Sequence, residues 1–307
     1  MNGIAPAAIC DLQAPGLAVR RDEPLSRHTS MRVGGPADFY CEVDDVAALS
    51  ALLRWASAEE LPVFALGGGT NLVVADRGIR GVTVKFGPGF KQVAWDEDDR
   101  GARVRVAAGA NFKRLVLDSV TRGYTGLEFG EGIPGSVGGG VIMNAGAFGG
   151  EIASVTEALH AVTRDGNEVV LPRDRLRFSY RRLDLPPGLI VTGLELRLAR
   201  GEAGDIAART ASAKSRRDRR QPLGFPNAGS IFKNPPGDFA GRLIERVGLK
   251  GRAVGGAQIS PQHANFIVNT GGARAAEVRE LLELARDCVW QERGVWLEPE
   301  VKLVGEW

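Results

Sequence analysis

Two glycine-rich segments hold the residues whose types and spacing suit ligand chemistry. The first is Leu66-Gly67-Gly68-Gly69-Thr70-Asn71-Leu72, three consecutive glycines followed by a hydroxyl and an amide. Bare backbone N–H groups in such a loop can form an anion-binding nest, and Thr70 and Asn71 can add donors. It lacks the Gly-Lys-Ser/Thr ending of a Walker loop and the G-x-G-x-x-G spacing of a dinucleotide fingerprint. The second runs Gly130-Glu131-Gly132-Ile133-Pro134-Gly135-Ser136-Val137-Gly138-Gly139-Gly140, then Asn144-Ala145-Gly146-Ala147. Eleven of the 28 residues from Gly123 to Gly150 are glycine, which lets backbone approach a ligand closely. Either segment alone reads as a tight turn or a close backbone crossing. Two in one chain point to a large phosphorylated cofactor.

The polar side chains that could react lie further along. Ser230 follows Ala228-Gly229 but lacks the glycine of a nucleophile elbow, so a turn residue is the plain reading and a hydrolase a poor one. Arg181 and Arg182 are adjacent, as in many solvated surface pairs. Glu298 and Glu300 share a face if extended, but two carboxylates on one short strand cannot flank a glycosidic bond. His263, among apolar residues, reads as a hydrogen-bonded core or pocket residue rather than a metal ligand. The run Lys214, Arg216, Arg217, Arg219, Arg220 could by itself be a nucleic-acid patch, but with five charges and no RNA-binding motif it reads as a solvated helix end whose arginines can reach a nucleotide diphosphate.

Alternating elements must carry these residues. Asp44 and Asp45 offer a cap for a helix in which Val46, Leu49, Leu52, Leu53 and Ala56 share a face. Strands are expected at 63–66, on entry to the first glycine loop, at 72–74 on leaving it, and at 82–84 and 104–106. Further strands are expected around 155–163, 167–171 and 189–198. Helical spacing follows at 205–217, at 239–247 with Asp238 as cap and Gly248 as stop, and at 275–292. Strands at 263–268 and 301–304 complete the pattern, and the first 20 or so residues read as a loose arm. The fold class is α+β.

Composition narrows the function. The 307 residues suggest two or three domains. A net charge of +2 gives no support to nucleic-acid or membrane-surface binding. Three cysteines (Cys10, Cys41, Cys288) and three histidines lack metal-ligand spacing, so no metal site is expected. No apolar run approaches the roughly 18 residues of a membrane span, and a cytoplasmic monomer is the default.

In order, these segments resemble the UDP-N-acetylenolpyruvoylglucosamine reductase (MurB) family. The resemblance rests on His28-Thr29-Ser30-Met31-Arg32-Val33-Gly34-Gly35-Pro36-Ala37, the Gly-Gly-Gly-Thr-Asn loop and Gly-Ile-Pro-Gly-Ser-Val-Gly-Gly. It continues through Phe178-Ser179-Tyr180-Arg181, Ala228-Gly229-Ser230-Ile231-Phe232-Lys233-Asn234-Pro235, His263-Ala264-Asn265-Phe266-Ile267-Val268-Asn269 and Leu297-Glu298-Pro299-Glu300-Val301. It implies a vanillyl-alcohol-oxidase-like (PCMH-type) FAD-binding fold. Residues 1–85 and 86–200 would be its two subdomains, 201–298 a substrate-binding α+β domain, and 299–307 a C-terminal strand carrying a catalytic glutamate.

It also implies non-covalent FAD, reduced by NADPH, which leaves before a UDP-sugar enolpyruvyl ether enters. The product would be UDP-N-acetylmuramate for peptidoglycan. The catalytic set becomes Arg181, Ser230 and Glu300, and substrate contacts fall on Tyr180, Lys233, Asn234 and His263. FAD contacts fall on Gly67, Gly68, Gly69, Thr70, Asn71, Leu72, Gly132, Ile133, Pro134, Gly135, Ser136, Gly138, Gly139, Asn144, Gly146 and Ala147. Rivals are another flavin oxidoreductase on this fold and a nucleotide binder without chemistry. Two departures matter. Leu183 stands where the family has a small hydroxyl residue, leaving Arg181 and Arg182 both open, and the short 181–221 stretch has no room for the extra capping loop of one family branch.

Overall fold

The computed structural model describes residues 14–222 and 224–307. Cys10 and residues 1–13 of the expected arm lie outside the described residues. The chain divides into two compact units, one of residues 14–22, Asp38–Gly67 and Gly81–Ala213, the other of Glu23–Ala37, Gly68–Arg80 and Lys214–Trp307.

The first unit contains two sheets. Strands Leu17–Pro24, Pro36–Val43, Ile79–Phe86 and Val63–Leu66 form one, in that spatial order, with the last two parallel. Helix α1 (Val46–Ala58) begins where Asp45 Oδ1 accepts from Ala48 N at 2.7 Å. Its Leu49, Leu52 and Leu53 bury against Phe39, Cys41, Val82 and Val84, as their spacing demands. The second sheet is antiparallel, in the order Glu168–Pro172, Thr156–Val162, Ile190–Arg200, Gly101–Ala107, Val93–Asp98. Its inward residues Val104, Val106, Leu194 and Leu196 pack with Phe112, Leu115 and Val116 of α2 (Phe112–Thr121). Next comes a six-residue helix, α3 (Val137–Ile142), capped by Ser136 and made half of glycine. Glycine is a weak helix former, so packing and capping must hold this turn.

Helix α4 (Ala203–Arg220) carries the basic run at its C-terminal end, where Lys214 pairs with Asp218 at 2.6 Å. The second unit holds α5 (Ala240–Arg246), α6 (Ala275–Arg293) and a three-stranded antiparallel sheet of Ala253–Val254, Ala257–Ile259 and Ile267–Asn269. Val278, Leu281, Leu282, Ala285 and Val289 of α6 are all buried. Strand Lys302–Val304 pairs in parallel with Leu72–Val74, so the exit of the first glycine loop is tied to the C-terminal segment.

Three local expectations need correction. The N-terminal arm is a strand from Leu17 onward, held by sheet pairing that its charged sequence does not advertise. Asp238 does not cap α5: Ala240 N donates to Asn234 Oδ1 at 3.1 Å, and Asp238 bonds Phe239 N and Arg242 instead. The strand expected at 263–268 starts only at Ile267, because Ser260 Oγ accepts from Gln262 N and His263 N, and Phe266 N closes a turn onto His263 O.

Candidate active site

In the second unit a ladder of backbone bonds sets Ser230 and Glu300 on neighbouring segments. Gly229, at φ +75°, turns the chain into Ser230. Ile231 O accepts from Glu300 N at 2.9 Å, and Lys233 N donates to Glu298 O at 2.9 Å. Asn265 holds the same segment from its other side. Its Oδ1 accepts from Phe232 N at 3.0 Å and its Nδ2 donates to Phe232 O at 2.8 Å, all within the core. Asn71 Nδ2 donates to Glu300 O at 3.0 Å, and Lys302 N to Asn71 O at 3.0 Å. Asn71, Glu300 and the backbone beside Ser230 are therefore one connected structure within this unit.

The other residues assigned to this unit are engaged in definite ways. Lys233 Nζ pairs with Glu298 Oε1 at 2.5 Å. The oxygen of Asn234 is committed to the α5 N-terminus. Nδ1 of His263 accepts from Asn265 N at 3.1 Å, and its ring meets Phe266 at 4.9 Å between centroids. Gly69 adopts φ +65°, and a Cβ there would lie 2.0 Å from His28 O, so close backbone crossing alone requires this glycine.

In the first unit Gly67 lies beside Ser136 of the second glycine segment: a Cβ on Gly67 would lie 2.8 Å from Ser136 Oγ. Lys85, which its sequence context does not single out, donates to Gly67 O, and burial followed by the charge of Lys91 lowers its pKa from the ordinary lysine value. Gly132 and Gly135 take φ of +73° and +109° around Ile133-Pro134, and Ile133 N closes a turn onto Gly130 O. Gly146 and Ala147 pair with Gly150 and Glu151.

Tyr180 and Arg181 form the two-residue turn between strands Arg177–Ser179 and Arg182–Asp184. Arg181 adopts φ +57°, rare for a side chain of its kind, with its guanidinium 5.1 Å from the half-exposed Tyr180 ring centroid. Arg182 pairs with Asp184 at 2.5 Å, and Leu183 is buried, which accounts for an apolar residue there.

Two glycines of the second loop, Gly138 and Gly139, differ in what surrounds them. Gly138 is explained by packing, since a Cβ would stand 2.8 Å from Ala108 Cβ. Gly139 is not: among the described residues its Cβ would meet only Ser136 Oγ, at 3.4 Å. A half-buried helical position with space and no side chain fits a flat ligand lying over it. Among the described residues no group of three or more His, Cys, Asp or Glu side chains could hold a metal ion. No described helix is long and apolar enough to cross a membrane.

Comparison with known proteins gives two family matches. Residues 37–171 match a family described as an FAD binding domain. Residues 221–304 match the C-terminal domain of UDP-N-acetylenolpyruvoylglucosamine reductase. A reductase of that name from Symbiobacterium thermophilum is 46% identical, over 96% of this chain and 94% of its own. One from Agathobacter rectalis is 42% identical over 96% of both. The chain belongs to the UDP-N-acetylenolpyruvoylglucosamine reductase family. The crystal structure of the Thermus caldophilus reductase (MurB) superposes with a TM-score of 0.80 at 38% identity, covering 94% of this chain and 99% of that one. The protein is thus an FAD-dependent oxidoreductase, with the PCMH-type FAD-binding fold and further α+β structure.

Asn144 and Asn265 do more in this reductase than their sequence context suggests. Asn265 serves the Ser230 segment as described. Asn144 is fully buried, and its amide bonds Glu151 Oε2 and Ser179 O, each at 2.9 Å. A cofactor contact at Asn144 would have to come from its backbone. Both are amides inside apolar runs, and that isolation is the signal that could have marked them.

Proposed function

We propose that the protein reduces UDP-N-acetyl-3-O-(1-carboxyvinyl)-glucosamine to UDP-N-acetylmuramate with NADPH, as a cytoplasmic monomer supplying peptidoglycan precursor synthesis. When bound, FAD carries the hydride from NADPH to C3 of the enolpyruvyl group. Gly67 to Leu72, Gly132, Ile133, Pro134, Gly135, Ser136, Gly138 and Gly139 hold FAD through backbone donors, with Gly146 and Ala147 bordering them. Residues 1–85 and 86–200 act as the FAD-binding subdomains, 201–298 as the substrate domain, and 299–307 as the strand that begins beside Glu300.

The remaining chemistry falls to side chains. Hydride arrival drives negative charge into the substrate carboxylate, and Arg181 stabilises it electrostatically. Ser230 Oγ–H donates the proton to C2, and Glu300 completes the polar site. Tyr180, Lys233, Asn234 and His263 orient the UDP-sugar. The observation that carries this reading is the bonded ladder joining Asn71, Glu300, Ile231 and Asn265, which presents Ser230 and Glu300 from one rigid frame. The test is spectroscopic. The purified protein should be yellow, bleach with NADPH, and regain colour on addition of the enolpyruvyl substrate. Bleaching without substrate-driven recovery would favour a different flavin oxidoreductase.

A further inference from the structure

We propose that Asn144 is the positioning residue of the arginine turn, and that α3 thereby links the cofactor loop to Arg181. The inference rests on the assignment of Arg181 above. Helix α3 starts at Ser136, whose Oγ accepts from Gly139 N at 3.3 Å. It ends in a doubly bonded stop: Asn144 N donates to Val141 O at 3.0 Å and Ala145 N to Gly140 O at 2.8 Å. That stop places Asn144 at φ +39°, a left-handed conformation that asparagine tolerates better than most residues.

From there the side chain uses both of its N–H donors and accepts once at its oxygen. Nδ2 donates to Ser179 O and to Glu151 Oε2, and Oδ1 accepts from Ala153 N at 3.3 Å. Ser179 is the last residue before the Tyr180-Arg181 turn. A hairpin of two three-residue strands has little stability of its own. Arg181 also sits in a backbone conformation that persists only where its surroundings impose it. The Asn144 amide supplies such a restraint one residue away, from the helix whose first turn belongs to the cofactor loop.

The test compares Asn144→Asp, Asn144→Gly and Arg181→Ala in the FAD-loaded enzyme. Aspartate keeps the shape and the bond from Ala153 N but replaces both donors by an oxygen. Glycine accepts the left-handed conformation and leaves the helix stop intact, so at least one variant should fold. FAD content and the rate of bleaching by NADPH should stay within about twofold of wild type, since the cofactor loop is untouched. Substrate-driven reoxidation should fall about 10–100-fold, the penalty of a misplaced catalytic group. Amide exchange in residues 179–182 should accelerate in both Asn144 variants, an effect independent of turnover. Adding Asn144→Gly to Arg181→Ala should cost nothing further.

Reoxidation of the Asn144 variants at the wild-type rate, or losses that multiply in the double variant, would overturn the proposal. Loss of FAD from Asn144→Gly would do so as well, by making Asn144 a cofactor contact. Normal reoxidation in Arg181→Ala would instead remove the assignment on which the proposal stands.

Discussion

Ser230 is the residue whose removal should divide the reaction most cleanly. Bleaching by NADPH needs no proton from it, so Ser230→Ala should bleach at near the wild-type rate. Reoxidation by the enolpyruvyl substrate should fall by more than the roughly 10²–10⁴ usual for a general acid, and Ser230→Cys should recover part of it. Stopped-flow traces of the two half-reactions check this, and equal slowing of both would reduce Ser230 to a structural role. Cys41 gives a second, unrelated prediction. Burial pushes its thiol from 9.0 up to about 12. Its thiol is neutral in both states below pH 9. Between about 9 and 12 only the unfolded chain loses that proton, so stability falls as pH rises through this window. The slope from one such group approaches ~1.4 kcal/mol per pH unit. Urea unfolding at pH 7 and pH 10.5 should show a smaller loss in Cys41→Ala than in wild type, and parallel losses would refute a buried, neutral thiol.

At the level of elements, α3 separates two uses of glycine that sequence alone leaves merged. Gly138→Ala must push against Ala108 and should destabilise even FAD-free protein by about 1–3 kcal/mol. Gly139→Ala meets no closer obstacle among the described residues than Ser136 Oγ at 3.4 Å and should stabilise the FAD-free form, on the order of 0.5 kcal/mol, through better helix propensity. If FAD lies over this turn, Gly139→Ala should still weaken FAD binding at least tenfold by fluorescence titration. Unchanged affinity would remove Gly139 from the cofactor site. By contrast, a side chain at Gly69 runs into His28 O, so its failure would say little about FAD.

The same elements mark what was legible in the sequence. Helices α1 and α6 follow from apolar spacing, and the strands from 156 to 200 follow from alternation bounded by turns. The Leu17–Pro24 strand was hidden because half its residues are charged and sheet partners supply its order. Helix α2 was overlooked although Phe112, Leu115 and Val116 stand at helical spacing, because it lies between glycine-rich stretches. The cap of α5 comes from Asn234, six residues before the N–H it accepts, while the adjacent Asp238 looks the better candidate on paper. Asn71 and Asn144 read from the sequence as cofactor contacts and Asn265 as part of a strand, but the amide of each hydrogen-bonds backbone far along the chain, and only the fold brings those partners to them.

For the whole molecule the decisive property is how FAD is held. Neither glycine segment contains a histidine or cysteine that could be joined to a flavin. Cys41 is fully buried with its thiol held neutral, and Cys288 is half-buried on α6. The ring of His28 is hydrogen-bonded to Glu23 at 2.8 Å. Attachment should therefore be non-covalent, and acid precipitation should release all the yellow colour into the supernatant. Reversible binding has a thermodynamic consequence that a covalent link would not share. A ligand that binds only the folded state stabilises it by an amount that grows with its free concentration, about 2.7 kcal/mol at 100 times Kd. FAD-stripped protein should melt lower, and its Tm should climb continuously as FAD is added back, without levelling off at one equivalent. AMP and riboflavin, each carrying only part of the cofactor, should raise it less, because the backbone donors of the two loops are proposed to meet the diphosphate between them. A Tm that stops rising at stoichiometric FAD, or colour that stays in the acid pellet, would mean that the flavin is bound covalently.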